Sequence, residues 1–71
     1  MTYAVAQDLI GNKYISIEYY HAYGHDVYKV ITATGRGADY REDKSVIYTD
    51  LKKATATYNR YRREARKENE A

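Results

Sequence analysis

The apolar residues change their spacing at Asp50. Before it they tend to alternate. After it they fall at Leu51, Ala54, Tyr58, Tyr61 and Ala65, in steps of three and four. Alternation places every second side chain on one face of a strand, whereas steps of three and four draw one stripe along a helix. The stripe is narrow and partly alanine, so this helix must pack close against something flat. The simplest solution is an α+β domain in the order β-β-β-β-α. A three- to four-stranded antiparallel sheet then carries one C-terminal amphipathic helix across one face.

The strands are read from local pattern. Residues 2–6, "TYAVA", form a short first strand, and "DLIGNK" (8–13) reads as a turn around Gly11-Asn12. "KYISIEYY" (13–20) alternates, with Ile15, Ile17 and Tyr19 on one side and Tyr14, Ser16, Glu18 and Tyr20 on the other. "HAYGHD" (21–26) reads as a hairpin loop and the β-branched "VYKVITA" (27–33) as a strand. "TGRGADYREDK" (34–44) reads as a loop and "SVIYT" (45–49) as a last short strand. Thr49 or Asp50 can cap the helix, Arg66 and Lys67 suit its negative end, and "ENEA" is expected to fray.

With 71 residues the chain makes one domain, spanning 1–71. A domain of this size buries only ~60% of the surface its unfolded chain exposes, which leaves room for one thin core. Much of the apolar content is tyrosine: ten tyrosines, with no Phe, Trp or Cys. Tyrosine combines a large apolar area with a hydroxyl that seeks a partner, and it is a favoured contact residue at binding surfaces. The absence of cysteine removes disulfides and thiolate metal sites. No signal peptide and no membrane span is read, so the expectation is a soluble, cytoplasmic protein.

Net charge is +2, unevenly spread. Residues 50–71 hold seven cations against four carboxylates, a net +3, and the rest of the chain sums to −1. Lys52, Arg60, Arg63 and Lys67 fall largely away from the apolar stripe, with Lys53, Asn59, Arg62 and Arg66 nearby. That is the pattern of a phosphate-tracking surface. It is also the pattern of a solvated helix face, and Glu64 stands one turn from Arg60 at ion-pair spacing.

The loop "TATGRGADY" sets Arg36 between Gly35 and Gly37. A phosphate loop would need a second glycine followed by Lys and a helix; here an acidic stretch and a strand follow, so an ordinary inter-strand loop fits better. Arg36 remains a candidate phosphate contact. The nearby carboxylates Asp39, Glu42 and Asp43, read as part of the same mobile loop, would repel nucleic acid.

The stretch from Asn12 to Lys67 resembles the WGR domain, a small sheet-and-helix module found in some poly(ADP-ribose) polymerases and in stand-alone bacterial proteins. "NKYISIEYY" is similar to its opening strand and "VYKVITATGR" to the strand entering its Trp-Gly-Arg signature. Tyr48 and "YTDLKKATATY" are similar to its aromatic position and helix start. Thr34 stands where the tryptophan belongs, so the DNA-contacting role the resemblance implies passes to Arg36 alone. The same hairpin-and-helix grammar resembles that of tiny phage-encoded accessory proteins, including inhibitors of host defence.

Two classes of function follow. The first is a nucleic-acid-binding module using Arg36, Lys52, Arg60, Arg63 and Lys67. The second is a protein-interaction module, such as a phage or mobile-element inhibitor of a host protein. It would use Tyr14, Tyr20, Tyr28 and Tyr40, with residues 40–44 as a charged rim. The tyrosines form its platform if they line the face opposite the helix; such a platform could also stack unpaired bases. A homodimer through an edge strand or the tyrosine face is a variant. His21 and His25 flank a glycine in a loop and lack a third ligand, so neither metal, cofactor nor catalysis is expected.

Overall fold

The computed structural model describes residues 2–35 and 37–70. Four strands, β1 (Tyr3–Ile10), β2 (Lys13–Ala22), β3 (His25–Thr34) and β4 (Arg41–Tyr48), precede one helix, α1 (Leu51–Glu70). A single 3-10 turn, Gly37–Asp39, lies between β3 and β4. The strands form one antiparallel meander in the order β1-β2-β3-β4. The β-β-β-β-α architecture is therefore as the sequence implied, and the first strand forms. No helix among the described residues is long and apolar enough to cross a membrane.

The strands run longer than local pattern suggested because the turns are minimal. β1 and β2 are joined by Gly11-Asn12 alone, and β2 and β3 by Tyr23-Gly24 alone. Tyr23 and Gly24 both hold positive φ, at 54° and 77°, which is the type I′ turn that matches the twist of a hairpin. Gly11, at φ 61°, takes the first position of the other turn. "DLI" belongs to β1, and "REDK" belongs to β4 rather than to a loop. Four charges in succession suit an edge strand, where both faces and one backbone edge meet water.

The core lies between the sheet and α1. Ile15, Ile17 and Val30 of the two central strands meet Ala54, Tyr58, Tyr61 and Ala65 of the helix. The alanines let the helix axis approach, and the tyrosines fill the flanks. Thr57 is buried too, its hydroxyl 2.7 Å from that of Tyr48, which ties β4 to α1. Leu51, placed on the stripe by spacing, is 42% exposed at the first turn. Asp50 is the cap: its carboxylate accepts from the Lys52 amide at 2.9 Å, and its carbonyl from the Ala54 amide at 3.1 Å. The helix continues through Glu70, past the point where fraying was expected. Asn69 packs over Gly11, where an added Cβ would stand 2.5 Å from its Oδ1.

Candidate nucleic-acid interface

The helix sorts its charges by face. At ~100° per residue, Lys52, Arg63 and Lys67 fall on the crest opposite the buried stripe. All three are exposed, as are Lys53, Arg60 and Arg66. Arg60 sits on the flank, its guanidinium 5.3 Å from the Tyr61 ring centre. Arg62 leaves the basic surface altogether. It donates to Asp8 of β1 at 2.9 Å and lies 5.4 Å from the Tyr58 ring.

The acidic residues of the helix mostly turn elsewhere. Glu64 and Glu68 line a shallow groove of about 120 Å³ between α1 and the sheet, with Lys13, Asp43 and Lys44. The ion pairs among the described residues are Lys13–Asp43, His21–Asp26, Arg41–Asp43 and Arg62–Asp8. The Arg60–Glu64 pair allowed by spacing is not among them. Among the described residues, Lys52, Arg63 and Lys67 of the crest thus have no carboxylate partner, and Glu70 is the acid at its far end.

The carboxylates beside the Gly-Arg loop are also rearranged relative to expectation. Asp43 is in β4, where it accepts from the Thr34 hydroxyl, from Lys13 at 3.3 Å and from Arg41 at 3.5 Å. The Thr34 hydrogen bond, then the Lys13 contacts, hold its carboxyl below the usual carboxylate range. Glu42 is a strand residue paired with Ala33. Arg36 itself lies outside the described residues. Its neighbours Gly35 and Gly37 both have positive φ, and the Gly35 amide donates to the Asn12 carbonyl at 3.0 Å. The loop is thereby anchored to the β1–β2 turn, and it ends in one 3-10 turn instead of a phosphate-binding helix.

The tyrosines divide between the two faces. Tyr14 and Tyr20 lie on the open face, opposite α1. Tyr14 donates to Gln7 at 2.8 Å. Tyr40 stands two residues before Glu42, which pairs with Ala33 of the open face, and its phenol is pushed up by burial and by neighbouring Glu42, Tyr14 and Glu18. Ser16, Ile31 and Ala33 on this face are buried although no second layer of secondary structure overlies them. Leu9 and Ile47 remain exposed beside them, at 48% and 59%. Tyr28 does not belong to this platform. Strand pairing sets it opposite Tyr19 and Tyr48 on the helix side, where it packs against the core.

The strand register also makes an arrangement not anticipated from the sequence. Tyr3, Tyr19, Tyr28 and Tyr48 pair in register, one per strand, and make a row across the whole sheet. Tyr19 donates to Asp26 at 2.6 Å, and His21 Nδ1 stands 3.3 Å from the same oxygen. The Asp26 hydrogen bond is the main cause that pushes the Tyr19 phenol up to about 12. Asp26 is held below its ordinary range by the same bond and by His21. No group of three His, Cys, Asp or Glu that could hold a metal occurs among the described residues. No family model matches the chain, and no curated protein or solved structure is significantly similar to it.

Proposed function

We propose that this protein is a small, non-enzymatic nucleic-acid-binding module whose outer helix face lies along a phosphate backbone. The carrying observation is the crest of Lys52, Arg63 and Lys67, which are exposed and have no ion-pair partner among the described residues, while Glu64 and Glu68 face the groove on the other flank. Unpaired cations in a line displace condensed counterions when they meet phosphates. Arg62, bound to Asp8, serves the fold instead. Arg60 and Arg36 would extend the surface, Arg36 being the position that the WGR resemblance nominates. Asp43 is a weaker objection than its position in the chain implied, since three donors already engage it.

The test is fluorescence anisotropy of a labelled oligonucleotide titrated at several salt concentrations. Each phosphate contact lowers log K against log salt by roughly 0.7 to 0.9. The K52A/R63A/K67A variant is therefore expected to bind more weakly with a slope shallower by about 2 to 3. Unchanged affinity and slope in that variant would remove the crest from any such role.

A second reading has its own support. Leu9 and Ile47 are exposed on the same open face as Tyr14, Tyr20 and Tyr40, apolar side chains fit to anchor a protein such as a host factor. It predicts a partner whose binding is lost in Tyr14→Ala or Tyr20→Ala and is indifferent to the crest variant.

A further inference from the structure

The row of tyrosines bears on which nucleic acid the module takes. Cross-strand neighbours Tyr3–Tyr19 and Tyr19–Tyr28 have ring centres 5.1 and 5.4 Å apart, tilted by 48° and 51°. Tyr19, Tyr28 and Tyr48 are half-buried alike, and the end ring, Tyr3, opens to solvent. Tyr28 and Tyr48 pack against the core, and Tyr3, on edge strand β1, is 55% exposed. The row therefore ends in a ring that the fold itself does not cover. The ring beneath it is fixed in place by the Tyr19–Asp26 hydrogen bond.

Cations stand at the opposite end of the row from Tyr3. The chain turns from Tyr48 directly into α1, so Lys52 and Lys53 of the first turn sit at the row's other end, and the crest continues from them. Asp26, beside Tyr19, stays an anion, held below its ordinary range by the phenol that donates to it. It also faces His21, and Asp50 caps the helix. Every nucleobase has a π-face that stacks on an aromatic ring, and this requires bases free of a duplex stack.

We infer that Tyr3 and Tyr19 form a stacking platform for unpaired bases, which makes the ligand single-stranded nucleic acid whose phosphates run onto the helix crest. The inference rests on the nucleic-acid reading above, and its test separates the two. The probes are a labelled oligothymidylate of about a dozen nucleotides, the same strand with abasic sites, and a duplex of equal length. The wild-type protein should bind the base-bearing strand about tenfold more tightly than the abasic strand. Tyr3→Ala should abolish that difference and leave abasic and duplex binding unchanged. Tyr3→Phe should keep it, since stacking needs the ring and not the hydroxyl. Tyr3 is an exposed edge residue, so the far-ultraviolet circular dichroism of both variants should match the wild type. Equal, salt-dependent binding of base-bearing and abasic strands by the wild type would overturn the platform and leave the crest reading standing. Absence of binding to every probe at low salt would overturn both.

Discussion

Arg62 separates what the basic helix does for the fold from what it does for a ligand. Its neighbour Arg63 differs by one position in sequence and by ~100° around the helix. Arg62 donates to Asp8 at 2.9 Å across 54 residues of chain, with the two side chains 28% and 32% exposed. A hydrogen bond between charged groups contributes ~1.5 to 3 kcal/mol when shielded, and an exposed ion pair ~0.2 to 1 kcal/mol. About one-third exposure places this pair between the two, near ~1 kcal/mol, with a little more from the Arg62 guanidinium over the Tyr58 ring. In a domain of this size ~1 kcal/mol lowers Tm by ~4 to 8 °C. Arg62→Met keeps most of the stem and removes the charge. It should show that drop in thermal unfolding followed by circular dichroism, with the salt slope of oligonucleotide binding unchanged. Arg63→Met should do the reverse, with Tm held within a degree or two and a slope shallower by about 0.7 to 0.9. An Arg62→Met variant with wild-type Tm and a shallower slope would refute this division of the helix into a structural and a ligand-facing side.

The Tyr48–Thr57 hydroxyl pair should behave as a unit. Tyr48→Phe and Thr57→Val should each cost ~1 to 2 kcal/mol in urea unfolding, and the double variant clearly less than their sum. Strict additivity would mean that the 2.7 Å contact carries no coupling. Tyr23 holds φ 54° at the type I′ turn while 99% exposed, so Tyr23→Asn should raise stability by roughly 0.5 to 1 kcal/mol. A loss of stability would mean that the Tyr23 ring makes a contribution the turn geometry does not reveal. The Tyr19 phenol, at about 12 when folded against about 10 in an unfolded chain, favours the folded state below pH ~10. That stability is lost as pH rises from ~10 through ~12, because the unfolded chain ionises first. Asp26→Asn should return the last-titrating phenol, read by absorbance near 295 nm, toward ~10.

The architecture was legible because each half of the chain carries one dominant period. The stripe from Ala54 to Ala65 is what packs on the sheet, and Ile15 and Ile17 are among the central-strand residues that meet it. Element ends were less legible, and the causes are non-local. Asp8 looks like a turn residue until Arg62 reaches it from the helix. The "REDK" half of β4 has no apolar pattern because an edge strand there does not need one. The phase of β3 was hidden because a central strand buries residues on both faces, here Val30 on one and Ile31 and Ala33 on the other. Tyr28 therefore fell on the helix side, and the open face keeps Tyr14, Tyr20 and Tyr40. The tyrosine row depends on the register of three strand pairs; two-residue turns fix the first two once β1 and β2 are seen at full length, and the longer β3–β4 connection leaves the third to the pairing itself.

The most direct test of the central claim is a two-dimensional amide NMR titration of labelled protein with single-stranded and duplex oligonucleotides, at low and at physiological salt. The account predicts shifts concentrated on the outer helix at Lys52, Arg60, Arg63 and Lys67. With the single strand alone they should extend to Tyr3 and Tyr19, and they should shrink as salt rises. A spectrum that stays unmoved at low salt, or moves only at Tyr14, Tyr20 and Tyr40 on the open face, would contradict it.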